Sequence, residues 1–131
     1  LTEKPSYDIM QICKVLIVGA GTATLEAACL GVPMVVLGKI PYIDYLFLLL
    51  KEGKRRPEFF ALPNMIMEKK VVPELIQDQV QVHRVVEETM RLLEDTSARE
   101  CMVQELLGVL SAMGQPGVVD RVAGMVMSLF N

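Results

Sequence analysis

Residues 15–31 read VLIVGAGTATLEAACLG, and this stretch decides the fold. Val15 to Val18 is an uncharged, β-branched run, the composition of a strand buried on both faces. Gly19-Ala20-Gly21-Thr22 then predicts a tight turn. Thr24 to Leu30 follows with good helix formers, and Gly31 stops it. A strand, a glycine turn and a helix start in this order bring free backbone N–H groups and a positive dipole end to one spot, which suits a phosphate or diphosphate. Pro33 opens a second apolar run, Met34 to Leu37, closed by Gly38. Two buried strands joined by a helix make a right-handed β-α-β unit and so a parallel sheet in an α/β fold.

The composition narrows the classes. A chain of 131 residues is one domain or a piece of one, and its 52% hydrophobic share is ample for a core. Thirteen basic against 16 acidic residues leave no general basic field, and the aromatics are too few for a base-stacking surface, so nucleic acid is not an expected partner. Cys13, Cys29 and Cys101 are odd in number and far apart, and His83 is the one histidine. A disulfide framework and a metal site are both disfavoured, and reduced cysteines in a cytoplasmic protein are expected. The longest apolar stretch, Ile43 to Leu50, is interrupted by Asp44 and falls well short of the roughly 20 residues that span a bilayer. The chain starts at Leu1 with no signal peptide before the first strand, as expected for a fragment of a longer protein.

Outward from the opening unit, residues 1–7 read as a frayed lead-in and Asp8 to Cys13 as a short helix or turn. Residues 42–52, YIDYLFLLLKE, predict a helix that is apolar over more than one face, followed by the basic turn Lys54-Arg55-Arg56. That turn is a candidate contact for anionic lipid, with a solvated loop as its alternative. Phe59 to Leu62 predicts a third short strand ended by Pro63-Asn64, and 65–72 a loop. Pro73 stands where a helix N1 proline would, leading ELIQD. Val82, Val85, Val86, Met90 and Leu93 recur at helical spacing. Ser97 with Glu100 fits a capping box for a further helix, which carries Met102, Leu106, Val109, Leu110 and Met113 on one face. Pro116-Gly117 breaks it, and Val119, Val122, Val126 and Leu129 mark the last helix.

The glycine turn and three residues stand out for chemistry. GAGTAT is similar to the dinucleotide fingerprint G-x-G-x-x-G, but Thr24 replaces the third small residue and Lys39 stands where the acid after the second strand is needed, so NAD or FAD is disfavoured. Glu26 lies one helical turn past Thr22 and can take both hydroxyls of a ribose; the alternative is that it only complements the helix dipole. Lys39, just past a strand's carboxyl end, can neutralise a diphosphate leaving group without a metal, or be a solvated surface lysine. Asn64 can donate and accept toward a sugar or phosphate, or be a turn residue. His83 is expected to face solvent, and Met65 and Met67 to pack.

GTATLEAACLGVPMVV (residues 21–36) and ALPNMIMEKKVVPELIQDQV (residues 61–80) together resemble the C-terminal half of lipid-A-disaccharide synthase, an inverting glycosyltransferase family of two-domain GT-B fold. The resemblance runs from about Asp8 to the end. It implies a partial Rossmann-like parallel sheet of GT-B type, with two or three strands, followed by C-terminal helices. In that arrangement the donor-binding β-α-β covers about 14–40, cleft loops 54–78 and C-terminal helices 80–131. The N-terminal acceptor domain, and with it the catalytic base, falls outside the chain, so no catalytic residue is expected here and the fragment alone is expected to be inactive.

The implied roles follow residue by residue. Ala20, Gly21 and Thr22 border the diphosphate of a UDP-sugar. Glu26 binds its ribose, and Lys39 matches a basic residue near the phosphates. Asn64 matches the asparagine of L-P-N, and Glu74 and Gln77 match a P-E-L-x-Q motif. The implied reaction joins UDP-2,3-diacylglucosamine to 2,3-diacylglucosamine 1-phosphate and releases UDP, with no metal or other cofactor. A homodimer with exchanged C-terminal segments and a peripheral place on the inner membrane are also implied. The chain departs from the pattern at Ala20, usually serine, at Gly38, usually tyrosine, and at Met67-Glu68-Lys69, usually A-G-R. Two alternatives remain: another UDP-GlcNAc-using GT-B enzyme, and a non-catalytic nucleotide-binding or dimerisation module of the same fold.

Overall fold

The computed structural model describes residues 6–39, 58–114 and 117–128. The helix expected over 42–52, the basic turn Lys54-Arg55-Arg56, Pro116 and Leu129 lie outside these residues. Three parallel strands carry the fold: β1 (Leu16–Gly19), β2 (Met34–Gly38) and β3 (Glu74–Ile76), in the order β1-β2-β3. Leu16 stands opposite Met34, and Val36 opposite Glu74. Helix α1 (Ser6–Gln11) precedes β1, and α2 (Thr22–Cys29) joins β1 to β2. Gly31 ends that crossover with φ 66, a left-handed conformation that glycine adopts without a Cβ penalty. This is the α/β architecture the sequence predicts.

β2 is the centre of the sheet. Met34, Val35 and Val36 are all fully buried, and because successive strand side chains alternate faces, both faces of β2 are covered. β1 corrects the expectation of a strand buried on both faces. Leu16 and Val18 are half-buried, but Ile17 is 52% exposed. β1 is an edge strand among the described residues, and an apolar run reads the same whether or not its second face is covered.

The segment after β2 holds the main corrections. No strand forms at Phe59 to Leu62. Instead α3 (Leu62–Met67) begins there, with Pro63 in its first turn, where the missing N–H leaves no intrahelical bond unmade. The loop expected over 65–72 therefore starts only at Glu68, which ends α3 in the left-handed region at φ 50, where glycine would cost less. Nor does Pro73 open a helix. The ELI that follows is β3: Leu75 is buried, and the Val36 N–H donates to the Pro73 carbonyl at 2.9 Å. Pairing with a buried neighbour strand outweighs the local helix signal.

A turn of 3-10 helix at Gln77–Gln79 leads to α4 (Val82–Glu94), α5 (Thr96–Ala112) and α6 (Val118–Ser128). The expected capping box at Ser97 does not form. Asp95 is the N-cap of α5 and accepts from the Ala98 N–H at 3.0 Å, which places Ser97 inside the first turn. Arg99 then donates back to the Leu92 and Leu93 carbonyls at the end of α4, so one short corner satisfies both helix ends. Helix α5 packs on α2, α3 and α4 through Met102, Leu106 and Val109, all buried. Leu110 and Met113, expected on the same face, are exposed. On α4 the inward residues are Leu92 and Val85, whereas Val82, Val86, Met90 and Leu93 form an exposed stripe. Val119, Val122 and Val126 of α6 are exposed as well. Among the described residues no helix is long and apolar enough to cross a membrane.

Candidate functional site

The carboxyl ends of the three strands and the start of α2 meet at one rim. Ala20 extends the ladder beyond β1 by donating its N–H to the Leu37 carbonyl at 2.8 Å. Gly21 is the N-cap of α2 and supplies no side-chain cap. The Thr24 hydroxyl, where the dinucleotide pattern has its third small residue, donates to the Gly21 carbonyl at 2.6 Å and pins the turn from inside. The N–H groups of Thr22 and Ala23, in the first turn of α2, have no backbone partner among the described residues. Among the described residues a Cβ at Gly19 or Gly21 would meet nothing within 4 Å, and neither glycine has a positive φ in the left-handed region. Neither internal crowding nor left-handed backbone therefore explains these two glycines; the space above them is open to a ligand's close approach to the chain.

Glu26 and Thr22 border an open groove of about 360 Å³ on the outer face of α2. Tyr7 of α1, Leu25, Cys29 and Leu30 of α2, and Met113 beyond α5 complete its lining. Tyr7 belongs to the first turn of α1 and not to a frayed lead-in. Lys39 is exposed just past the carboxyl end of β2. Thr22 and Glu26 thus share the groove, with Ala20 and Gly21 leading into α2 and Lys39 at the end of the neighbouring strand.

The other three candidates are placed differently. Asn64 is fully buried: its Oδ1 accepts from the Val71 and Val72 N–H groups at 2.7 and 2.8 Å, and its Nδ2 donates to the Val72 carbonyl at 2.9 Å. The Glu74 carboxylate accepts from the Ala61 N–H at 2.7 Å and the Phe60 N–H at 3.0 Å, tying β3 to the start of α3. Gln77 is buried directly after β3, with φ 52. The polar groups of Asn64 and Glu74 are spent on the chain's own backbone. His83 is exposed near the start of α4, Met67 packs on the core and Met65 is exposed. All three cysteines are free thiols. Among the described residues no three His, Cys, Asp or Glu side chains group as metal ligands.

A family model described as lipid-A-disaccharide synthetase matches residues 1–115. The lipid-A-disaccharide synthase of Geobacter sulfurreducens is 37% identical over 131 residues, covering 98% of this chain and 33% of that protein. The one from Nitrosococcus oceani is 37% identical over 111 residues, covering 83% and 27%. This chain belongs to the lipid-A-disaccharide synthase family. The chain spans about a third of the length of the curated relatives it matches. Ala20 and Gly38 are neighbours at the carboxyl rim. A Cβ at Gly38 would lie 3.5 Å from the Ala20 Cβ and 2.6 Å from the Ile76 Cδ1. Ile76 is opposite Gly38 in the ladder and already fills the space that a side chain at 38 needs.

A stability prediction follows from that contact. Gly38→Ala should cost up to about 1 kcal/mol, because the Ile76 Cδ1, the free end of a partly exposed side chain, must turn aside. In an Ile76→Val background the clashing Cδ1 is gone, and the nearest remaining Ile76 atom, Cγ1 at 3.9 Å, is in ordinary contact, so most of the cost should vanish. Urea unfolding of the two single variants and the double variant measures this coupling.

Proposed function

We propose that this chain supplies the donor side of a hexosyl transfer: it holds a UDP-sugar while 2,3-diacylglucosamine passes from UDP to 2,3-diacylglucosamine 1-phosphate in lipid A biosynthesis. The observation that carries the reading is the open glycine turn, where Gly19 and Gly21 leave room above the backbone beside the first-turn amides of Thr22 and Ala23. Membership of the lipid-A-disaccharide synthase family supports the choice of substrate.

In this reading the diphosphate accepts hydrogen bonds from the α2 amides and gains from the helix dipole. Glu26 takes the ribose hydroxyls. Lys39 offsets the charge that grows on the leaving UDP, so no metal is required. The acceptor hydroxyl attacks the anomeric carbon from the face opposite UDP. The new C–O bond forms as the bond to the β-phosphate oxygen breaks, and the hydroxyl proton goes to a base contributed by the acceptor domain. Asn64 and Glu74 serve this site by holding the 58–76 segment in shape. The exposed apolar residues of α6 support a homodimer with exchanged C-terminal segments, and the acylated substrates support a peripheral membrane location. The same exposed faces are what favour a non-catalytic dimerisation module as the second reading.

UDP titration by calorimetry tests the donor reading. Saturable binding that Glu26→Ala weakens tenfold, about 1.4 kcal/mol, is the expected result. Absence of UDP binding in the intact protein turns the reading toward the non-catalytic module.

A further inference from the structure

Resting on the donor reading above, we propose that Ile76 is a specificity-determining residue of that cleft, giving it an apolar floor that selects an acyl-bearing sugar nucleotide over one without acyl chains. The register carries the inference. Gly38 and Ile76 are paired, and the Ala20 bond to Leu37 continues the ladder by one residue, so Ala20, Gly38 and Ile76 form one row across the carboxyl ends of the three strands. Paired residues of a parallel ladder point to the same face. The row therefore has one surface, and neither of its two side chains, Ala20 and Ile76, can form a hydrogen bond.

Ile76 has the largest side chain of the row. Its Cδ1 reaches to within 2.6 Å of where a Gly38 Cβ would stand, so it lies across the middle strand instead of standing over its own. Ile76 and Gly38 are partly exposed and Ala20 is exposed, so the row borders solvent beside the open glycine turn at Gly21. A donor whose diphosphate sits on the first turn of α2 extends its sugar from that turn. A floor without polar groups gains nothing from a sugar hydroxyl, whereas it gains from burying the methylene groups of an acyl chain. Selection for the acylated donor then resides in Ile76, while the affinity for UDP itself resides in the turn and Glu26.

The experiment is calorimetric titration of the intact protein with UDP, UDP-N-acetylglucosamine and UDP-2,3-diacylglucosamine, using Ile76→Thr, the milder Ile76→Val, and Glu26→Ala. Ile76→Thr should weaken the diacylated nucleotide about tenfold and leave UDP and UDP-N-acetylglucosamine within about twofold. Ile76→Val should fall between. Unchanged UDP binding also reports that each variant is folded. Equal weakening of all three ligands, or of none, overturns the proposal. If Glu26→Ala leaves UDP affinity unchanged, or UDP does not bind at all, the donor reading itself fails and the proposal falls with it.

Discussion

Asn64→Ala is expected to lower the stability of the protein by about 4 kcal/mol. The side chain is fully buried and closes the loop between α3 and β3 with three hydrogen bonds: two accepted from Val71 and Val72, and one donated to the Val72 carbonyl. Alanine leaves two N–H groups and one carbonyl without partners, and each unmade buried bond costs roughly 1–3 kcal/mol. Neighbouring Val71 and Val72 are themselves buried core residues, so water cannot easily enter to replace the amide. Asn64→Asp is a sharper test. It keeps an acceptor for the two N–H groups but turns the donor toward Val72 into an oxygen facing an oxygen, so it should also unfold at much lower urea. A variant with wild-type stability and lost ligand binding would instead make Asn64 a ligand group.

Leu106→Ala should cost about 3 kcal/mol through the cavity it leaves. Leu106 is fully buried at the middle of α5, the helix that packs on α2, α3 and α4 together. Because α2 carries the glycine turn, this packing fixes the site from below. Leu107, the next residue, is 48% exposed, and alanine there should shift the urea midpoint little. The pair measured side by side checks which face of α5 is the core.

The parts of the fold written locally are legible in the sequence. β1, α2 and β2 follow directly from glycine and proline punctuation around short apolar runs, because each of those signals acts within a few residues. The segment from Phe59 to Gln77 is not, because its structure is decided across the chain. Pro63-Asn64 reads as a strand ending in a turn, yet Pro63 is compatible with a first helical turn and Asn64 is claimed by a backbone eight residues on. Pro73 reads as a helix start, yet β2 offers an open edge that Glu74 to Ile76 pair with. The caps show the same limit: Ser97 and Glu100 have the right spacing, but Asp95 sits at the corner where the chain changes direction. Helical periodicity locates α4 and α6 without saying which side is covered.

The candidate site divides in a similar way. Gly21, Thr22 and Glu26 are legible because helix geometry alone puts them on one rim. Asn64 and Glu74 are polar residues beside prolines in a loop-like stretch, and sequence cannot tell a side chain that meets a ligand from one that holds its own backbone. Tyr7 and Ile76 escape a reading of the sequence. Their part depends on the approach of α1 to α2 and on a strand that local signals disguise. The resemblance names the family correctly, but it could not show that positions 20 and 38 are neighbours.

Everything proposed for this chain requires that a nucleoside diphosphate sit on the glycine turn before α2. The most direct measurement is backbone amide NMR of the ¹⁵N-labelled protein during UDP titration. Saturable shifts should be largest at Gly21, Thr22 and Ala23, smaller at Glu26 and Lys39, and absent along α5. Saturable binding whose shifts cluster elsewhere, with the Gly21 to Ala23 amides unmoved, would contradict the donor reading.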